Sequence, residues 1–156
     1  MAALIQYPQV NGHRFSFNSC QFRFDGVLYI GIKSLNYKAS LKAGLVRGTS
    51  PNPIGRTVGD AEYTVDCEML SLEFEQLKLQ LGAPVVGFGE TAFTITVTKF
   101  EVGSPVVMDT VIGCRIEEAD ESNASGTDAS MVKMTMSAMN LLRNGAPIVT
   151  PRFFGL

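Results

Sequence analysis

GLVRGTSPNPIGRTVGDAEYTVDCEMLSLEFEQLKLQLG, residues 44–82, changes its pattern twice, and those changes decide how the chain is read. From Gly44 to Asp60, glycines and the Ser50-Pro51-Asn52-Pro53 run rule out a helix or a central strand, so the expectation is a long loop. A connection of this length inside a compact domain is functional or disordered. Leu45, Val46, Ile54 and Val58 interrupt its polar residues, which points to ordering on a partner. From Ala61 the chain alternates: Ala61, Tyr63, Val65, Cys67 and Met69 share one face, and Glu62, Thr64, Asp66 and Glu68 share the other, the period of a half-buried strand. At Leu70 the period lengthens. Leu70, Phe74, Leu77 and Leu81 recur at helical spacing, with Ser71 as N-cap, acids in the first turn and Gly82 and Pro84 as the stop.

The flanking sequence is read as strands separated by turns. Phe15, Phe17, Phe22 and Phe24 alternate up to an Asp25-Gly26 hairpin turn. Val27 to Leu41 reads as one extended segment, with Leu28, Ile30 and Ile32 on one face, Lys33, Leu35 and Tyr37 on the other, and a bend at Gly31. Further strands are expected over Thr91–Val102, Val106–Glu118 and Met131–Met139, with turns at Gly103-Ser104-Pro105, Asp120–Asp128 and Asn144–Pro147. The fold class is therefore mainly β: one domain over residues 1–156, an antiparallel β-sandwich or barrel with one flanking α-helix at about Leu70–Leu81 and a long loop at Gly44–Asp60.

Composition excludes several functions. Thirteen Lys and Arg against fifteen Asp and Glu give a net charge of −2, without the basic surplus that grips nucleic acid. Three cysteines without a C-x-x-C spacing and a single histidine argue against a disulfide framework or a metal site, so no cofactor is expected. No stretch reads as a secretion signal or a membrane span. The charged fraction of 18% is below the roughly 25% of ordinary domains, consistent with surface covered by other subunits.

Candidate chemical motifs have plainer readings. Gly87-Phe88-Gly89-Glu90-Thr91-Ala92 matches a loose dinucleotide-binding pattern, but a strand pattern follows it where that chemistry needs a helix. His13 with Cys20 makes a crude base and nucleophile pair with no third orienting group. Glu117, Glu118, Asp120 and Glu121 lack calcium-loop spacing and read as a solvated hairpin tip. Asn123-Ala124-Ser125 is a glycosylation acceptor only in a secreted chain. Arg56 leaves two readings open: a bidentate grip on a carboxylate, or a solvated loop cation.

The stretch PNPIGRTVGDAEYTVDCEMLSLEFEQL, and above all Pro53-Ile54-Gly55-Arg56-Thr57 followed by Gly59 and Tyr63, resembles the tail tube proteins of tailed bacteriophages. There a loop ending in a Gly-Arg-Thr element leads into an alternating strand and then a helix. Family members often carry a second basic residue where this chain has Val58-Gly59. The resemblance implies a non-enzymatic virion protein, assembled in the host cytoplasm, whose hexameric rings stack into a hollow conduit for the genome. It implies sheath, baseplate and tail terminator proteins as partners, and DNA that passes through without specific binding. Tubes of bacteriocin and secretion devices share the same physics, and a small β-barrel enzyme or ligand-binding protein is the reading from another class. On the tube reading, Leu45, Val46, Arg47, Pro53, Ile54, Arg56 and Thr57 are the expected contacts between subunits. Glu62, Thr64, Asp66 and Glu68, extended by Thr94, Thr96 and Thr98, form a polar face able to line the channel.

Overall fold

A computed structural model describes residues 15–57, 59–101, 105–123 and 125–148. His13, Val58, Gly103, Ser104, Ala124 of the glycosylation motif and the apolar tail at 149–156 lie outside the described residues. Two antiparallel sheets pack around one apolar core, and a single long strand belongs to both.

The first sheet contains β1 (Cys20–Phe24), β2 (Val27–Tyr29), β7 (Phe93–Lys99), the first half of β8 (Val107–Ser122), β10 (Asn140–Arg143) and β11 (Ala146–Pro147). The second contains β3 (Ile32–Lys42), β6 (Asp60–Leu70), β9 (Met131–Ala138) and the second half of β8. Strands run in the order β2-β1-β7-β8-β9-β6-β3, with β10 on β8. Alternation supplies the core: Phe22, Phe24, Ile95, Val97 and Val111 face inward from the first sheet, and Val65, Cys67, Met69, Met134 and Met136 from the second.

β8 passes between sheets at Gly113. Here the β7 register jumps from Phe93↔Cys114 to Ile95↔Val111, a bulge with φ +70 at Gly113. That left-handed φ is costly for a residue bearing a Cβ, and a Cβ here would also sit 2.7 Å from Met139 Cγ. The bulge turns β8 so that its remainder pairs with β9.

The helix α1 (Ser71–Gln80) closes one end of the sandwich. Phe74, Leu77 and Leu81 are buried as the helical spacing requires. Leu70, rather than the expected Ser71, is the N-cap; the Ser71 hydroxyl donates instead to Glu121 Oε1 at 2.8 Å and its N–H to Ser130 O at 3.1 Å, tying the helix start to β8 and the strand entering β9. At the far end Gln80 Nε2 donates to Phe24 O at 2.8 Å and Gln80 Oε1 accepts from Tyr29 OH at 2.5 Å, which fastens the helix to the first sheet. The bonds Ala83 N–H to Lys78 O and Gly82 N–H to Leu79 O end the helix in the doubly bonded C-terminal motif that a glycine permits.

Two expectations are corrected. The segment 27–41 is not one strand: it breaks at Ile30-Gly31 and bulges between Ile32 and Ser34, so the inward parity shifts. Tyr29 and Ile32 are buried, while Leu28 and Ile30 are exposed. Nor is residues 44–60 a structureless loop. β3 and β6 form a hairpin whose last pair is Lys42↔Asp60, and beyond it β4 (Leu45–Val46) pairs with β5 (Gly55–Arg56). Thr57 N–H to Gly44 O and Gly44 N–H to Thr57 Oγ1, both 2.9 Å, join the two ladders into one arm. Glycine is needed at the join, because a Cβ at Gly59 would lie 1.4 Å from Lys42 O.

Candidate interaction surfaces and a buried polar cluster

The arm carries the first candidate set. Leu45, Val46 and Ile54 are exposed, Ile54 by 67%, although pairing has already satisfied part of the arm backbone. Arg47, Pro53, Arg56 and Thr57 are exposed beside them. These side chains form an exposed apolar patch on a paired ribbon.

The second set divides. On β6, Glu62, Thr64 and Asp66 are exposed and Glu68 is half-buried, all facing away from the core. Pairing surrounds them with residues from distant sequence: Asp66 lies between Asn36 and Thr135, Glu68 between Ser34 and Lys133, and Thr64 between Lys38 and Ser137. β8 adds Glu118 beside Thr135 and Asp120 beside Lys133. Lys42 pairs with Glu62 at 3.2 Å, and Lys33 approaches Glu68 at 3.9 Å. The face is therefore polar and mixed in sign rather than a row of bare carboxylates. Thr94, Thr96 and Thr98 lie elsewhere: β7 pairs with β1 and β8, not β6, so these threonines sit on the outer face of the other sheet and do not extend the acidic face.

A buried polar cluster escaped the sequence reading. Asp109 on β8 is 2% exposed. Its Oδ2 accepts from the Tyr37 hydroxyl and pairs with Lys99 Nζ at 3.3 Å, and its Oδ1 accepts from Asn144 N–H at 3.1 Å. Lys99 Nζ and the Arg143 guanidinium stand 6.0 and 5.8 Å from the Tyr37 ring centroid. Burial, and then the Asp109 carboxylate, push the Tyr37 phenol well above its ordinary value. Tyr37 comes from β3 of one sheet, and Lys99, Asp109 and Arg143 from the other, so the cluster pins the sheets together at the end opposite α1. The detectable signal was an acid in phase with Val107 and Val111; its partners, far away in the chain, left none.

Among the described residues nothing activates a cysteine nucleophile. Burial pushes Cys67 and Cys114 up to about 12, and raises Cys20 as well, which disfavours the reactive thiolate. Gly87–Ala92 leads into β7 and has no helix on which a phosphate could rest. Among the described residues no three His, Cys, Asp or Glu side chains are placed to hold a metal ion, and no helix is long and apolar enough to cross a membrane.

No family model matches the chain, and no curated protein matches it. Solved structures do. The sheath/tube terminator of the extracellular contractile injection system PVC, in its extended state, superposes with a TM-score of 0.63 at 11% identity, over 84% of this chain and 96% of that one. The anti-feeding prophage tube terminating cap gives 0.61 at 11% identity, over 90% and 93%. The SPP1 tail tube gives 0.59 at 11% identity, over 85% and 80%. The chain has the tail-tube fold. At this identity the likeness is one of backbone architecture.

Proposed function

We propose that this protein is a structural subunit of a tail tube, forming hexameric rings that stack into a hollow conduit for a phage genome, with the virion tail as its place of action and the host cytoplasm as its place of assembly. The observation that carries the reading is a tail-tube fold spanning at least 80% of both chains in each superposition. The ordered arm supports it, because Leu45, Val46 and Ile54 are exposed where a neighbouring subunit can cover them. Sheath, baseplate and terminator proteins are the partners that such a tube meets. The face bearing Glu62, Thr64, Asp66 and Glu68 suits a channel wall: phosphate binding is driven by unpaired Lys and Arg, and the cations here are interleaved with carboxylates.

Likeness to a terminator and a cap favours a second reading, in which the rings end a tube instead of extending it. The injection-device tube is a variant of the first, with protein as cargo in place of DNA. Negative-stain microscopy of purified protein, alone and seeded with tail baseplates, separates these readings. A tube subunit grows cylinders, and a terminator gives single rings that bind tube ends. Particles that stay monomeric at high concentration with seeds present would sink both. Replacing residues 47–57 with a short Gly-Ser linker is expected to leave the sandwich folded and abolish cylinders.

A further inference from the structure

The helix α1 is apolar on two sides. Phe74, Leu77 and Leu81 face the core, yet Leu72 and Leu79, seven residues apart and so on one face, are 69% and 67% exposed. Val85, 92% exposed, and Val86 follow just beyond the helix. Packing among the described residues leaves this outer stripe uncovered. The arm, also apolar and exposed, leaves the opposite end of the sandwich: β6 runs from the arm at Asp60 to the helix at Leu70, and β9, antiparallel to it, starts at the helix end.

The two ends also differ in charge. Glu75 lies on the outer helix face, Glu121 receives the Ser71 hydroxyl at the helix start, and Glu90 is exposed in the segment that follows. The nearby cation Lys78 is held by Glu75 at 2.9 Å and lies over the Phe74 and Phe88 rings. The arm is the reverse, with Arg47 and Arg56 flanking its apolar residues. One end is thus apolar with acids around it, and the other apolar with cations around it.

We infer that the outer face of α1 is the dock for the arm of a second copy of this chain, joining copies head to tail. A patch on one end that matches a different patch on the other makes a heterologous contact, which propagates instead of closing as a two-fold dimer. Leucines and valines bury the arm's Leu45, Val46 and Ile54, while the opposed charges set the direction of stacking and speed the encounter. This inference rests on the tube reading and adds the receiving surface, which that reading does not name.

The test uses Leu72→Asp with Leu79→Asp, both at exposed positions, and a cross-linking pair, Ile54→Cys with Leu79→Cys, in a Cys20→Ser background treated with a short bismaleimide. Expected results are a wild-type melting temperature for L72D/L79D, rings of normal size, a rise of at least tenfold in the concentration needed for cylinders, and cross-links between copies only under cylinder-forming conditions. Normal cylinders from L72D/L79D, or cross-linking of Leu79→Cys to another tail protein instead of Ile54→Cys, would overturn the dock and leave the tube reading standing. Failure of the wild type to form cylinders with seeds would refute the tube reading itself, and the dock with it.

Discussion

Replacing Asp109 with alanine tests whether the buried cluster holds the two sheets together. The carboxylate is 2% exposed and serves three donors: Tyr37 OH, Lys99 Nζ and Asn144 N–H. Removing one partner of a buried ion pair costs about 3–5 kcal/mol, because the partner left behind is desolvated without compensation. The lower end applies here, since the Lys99 side chain is 24% exposed and can turn toward water. The Tyr37 hydroxyl is then left unsatisfied. We expect a loss of about 3 kcal/mol, or a fall in melting temperature of roughly 6–12 °C for a chain of this size. Tyr37→Phe alone, which removes one hydrogen bond to a charged group, should cost about 1.5–3 kcal/mol. The double variant should cost less than the sum, because both changes delete the same contact. Thermal unfolding of the unassembled protein, followed by near-ultraviolet circular dichroism, provides the measurement. An Asp109→Ala midpoint within about 2 °C of wild type, or full additivity with Tyr37→Phe, would refute the reasoning.

Two further expectations follow from burial and charge. Cys67 and Cys114 are raised from 9.0 to about 12, so folding favours their neutral thiols; that stability is intact below pH 9 and drains away as pH climbs from 9 toward 12, by up to about 1.4 kcal/mol per unit for each thiol. Cys67→Val should flatten this alkaline loss, and a variant whose alkaline unfolding curve is unchanged would show that the thiol does not contribute. Changing Glu62, Asp66 and Glu68 together to lysine is expected to permit assembly and slow genome ejection, more so at low salt, where screening is weak; wild-type ejection kinetics from normal cylinders would remove this face from the channel wall.

Period was the legible part of this fold. The strand at 60–70 and the helix after it follow directly from alternation and its change at Leu70, because each reports only on its own neighbours. Register was not legible. The partners of Asp66 and Glu68, and so the mixed sign of their face, come from β3 and β9, and β8 adds Glu118 and Asp120 beyond β9. Leu28 and Ile30 were assigned to the same side as Ile32 because the break at Ile30-Gly31 resets the period without changing composition. Glycines and prolines marked residues 44–60 as irregular, yet β3 and β6 bring Leu45-Val46 against Gly55-Arg56 and impose a ribbon that local propensity does not favour. Asp109 was overlooked because an acid at an inward position becomes stable only when Tyr37, from another strand, arrives over it.

The strand shared by both sheets also governs how the chain can be made. β1 at Cys20–Phe24 pairs with β7 at Phe93–Lys99, and β7 with a β8 that ends only at Ser122. Neither layer can close before β8 has left the ribosome, since its first half lies between β7 and β10 in the first sheet and its second half edges the second sheet beside β9. Until then the β1–β2 hairpin waits with Phe22, Phe24 and Tyr29 unburied, and the β3–β6 hairpin, already synthesised, waits without β9 on its β6 edge. Such late closure makes folding slow and exposes strand edges to other nascent copies. In a protein translated on crowded polysomes, the interval between synthesis of Phe24 and of Ser122 is the period in which a holding chaperone matters most.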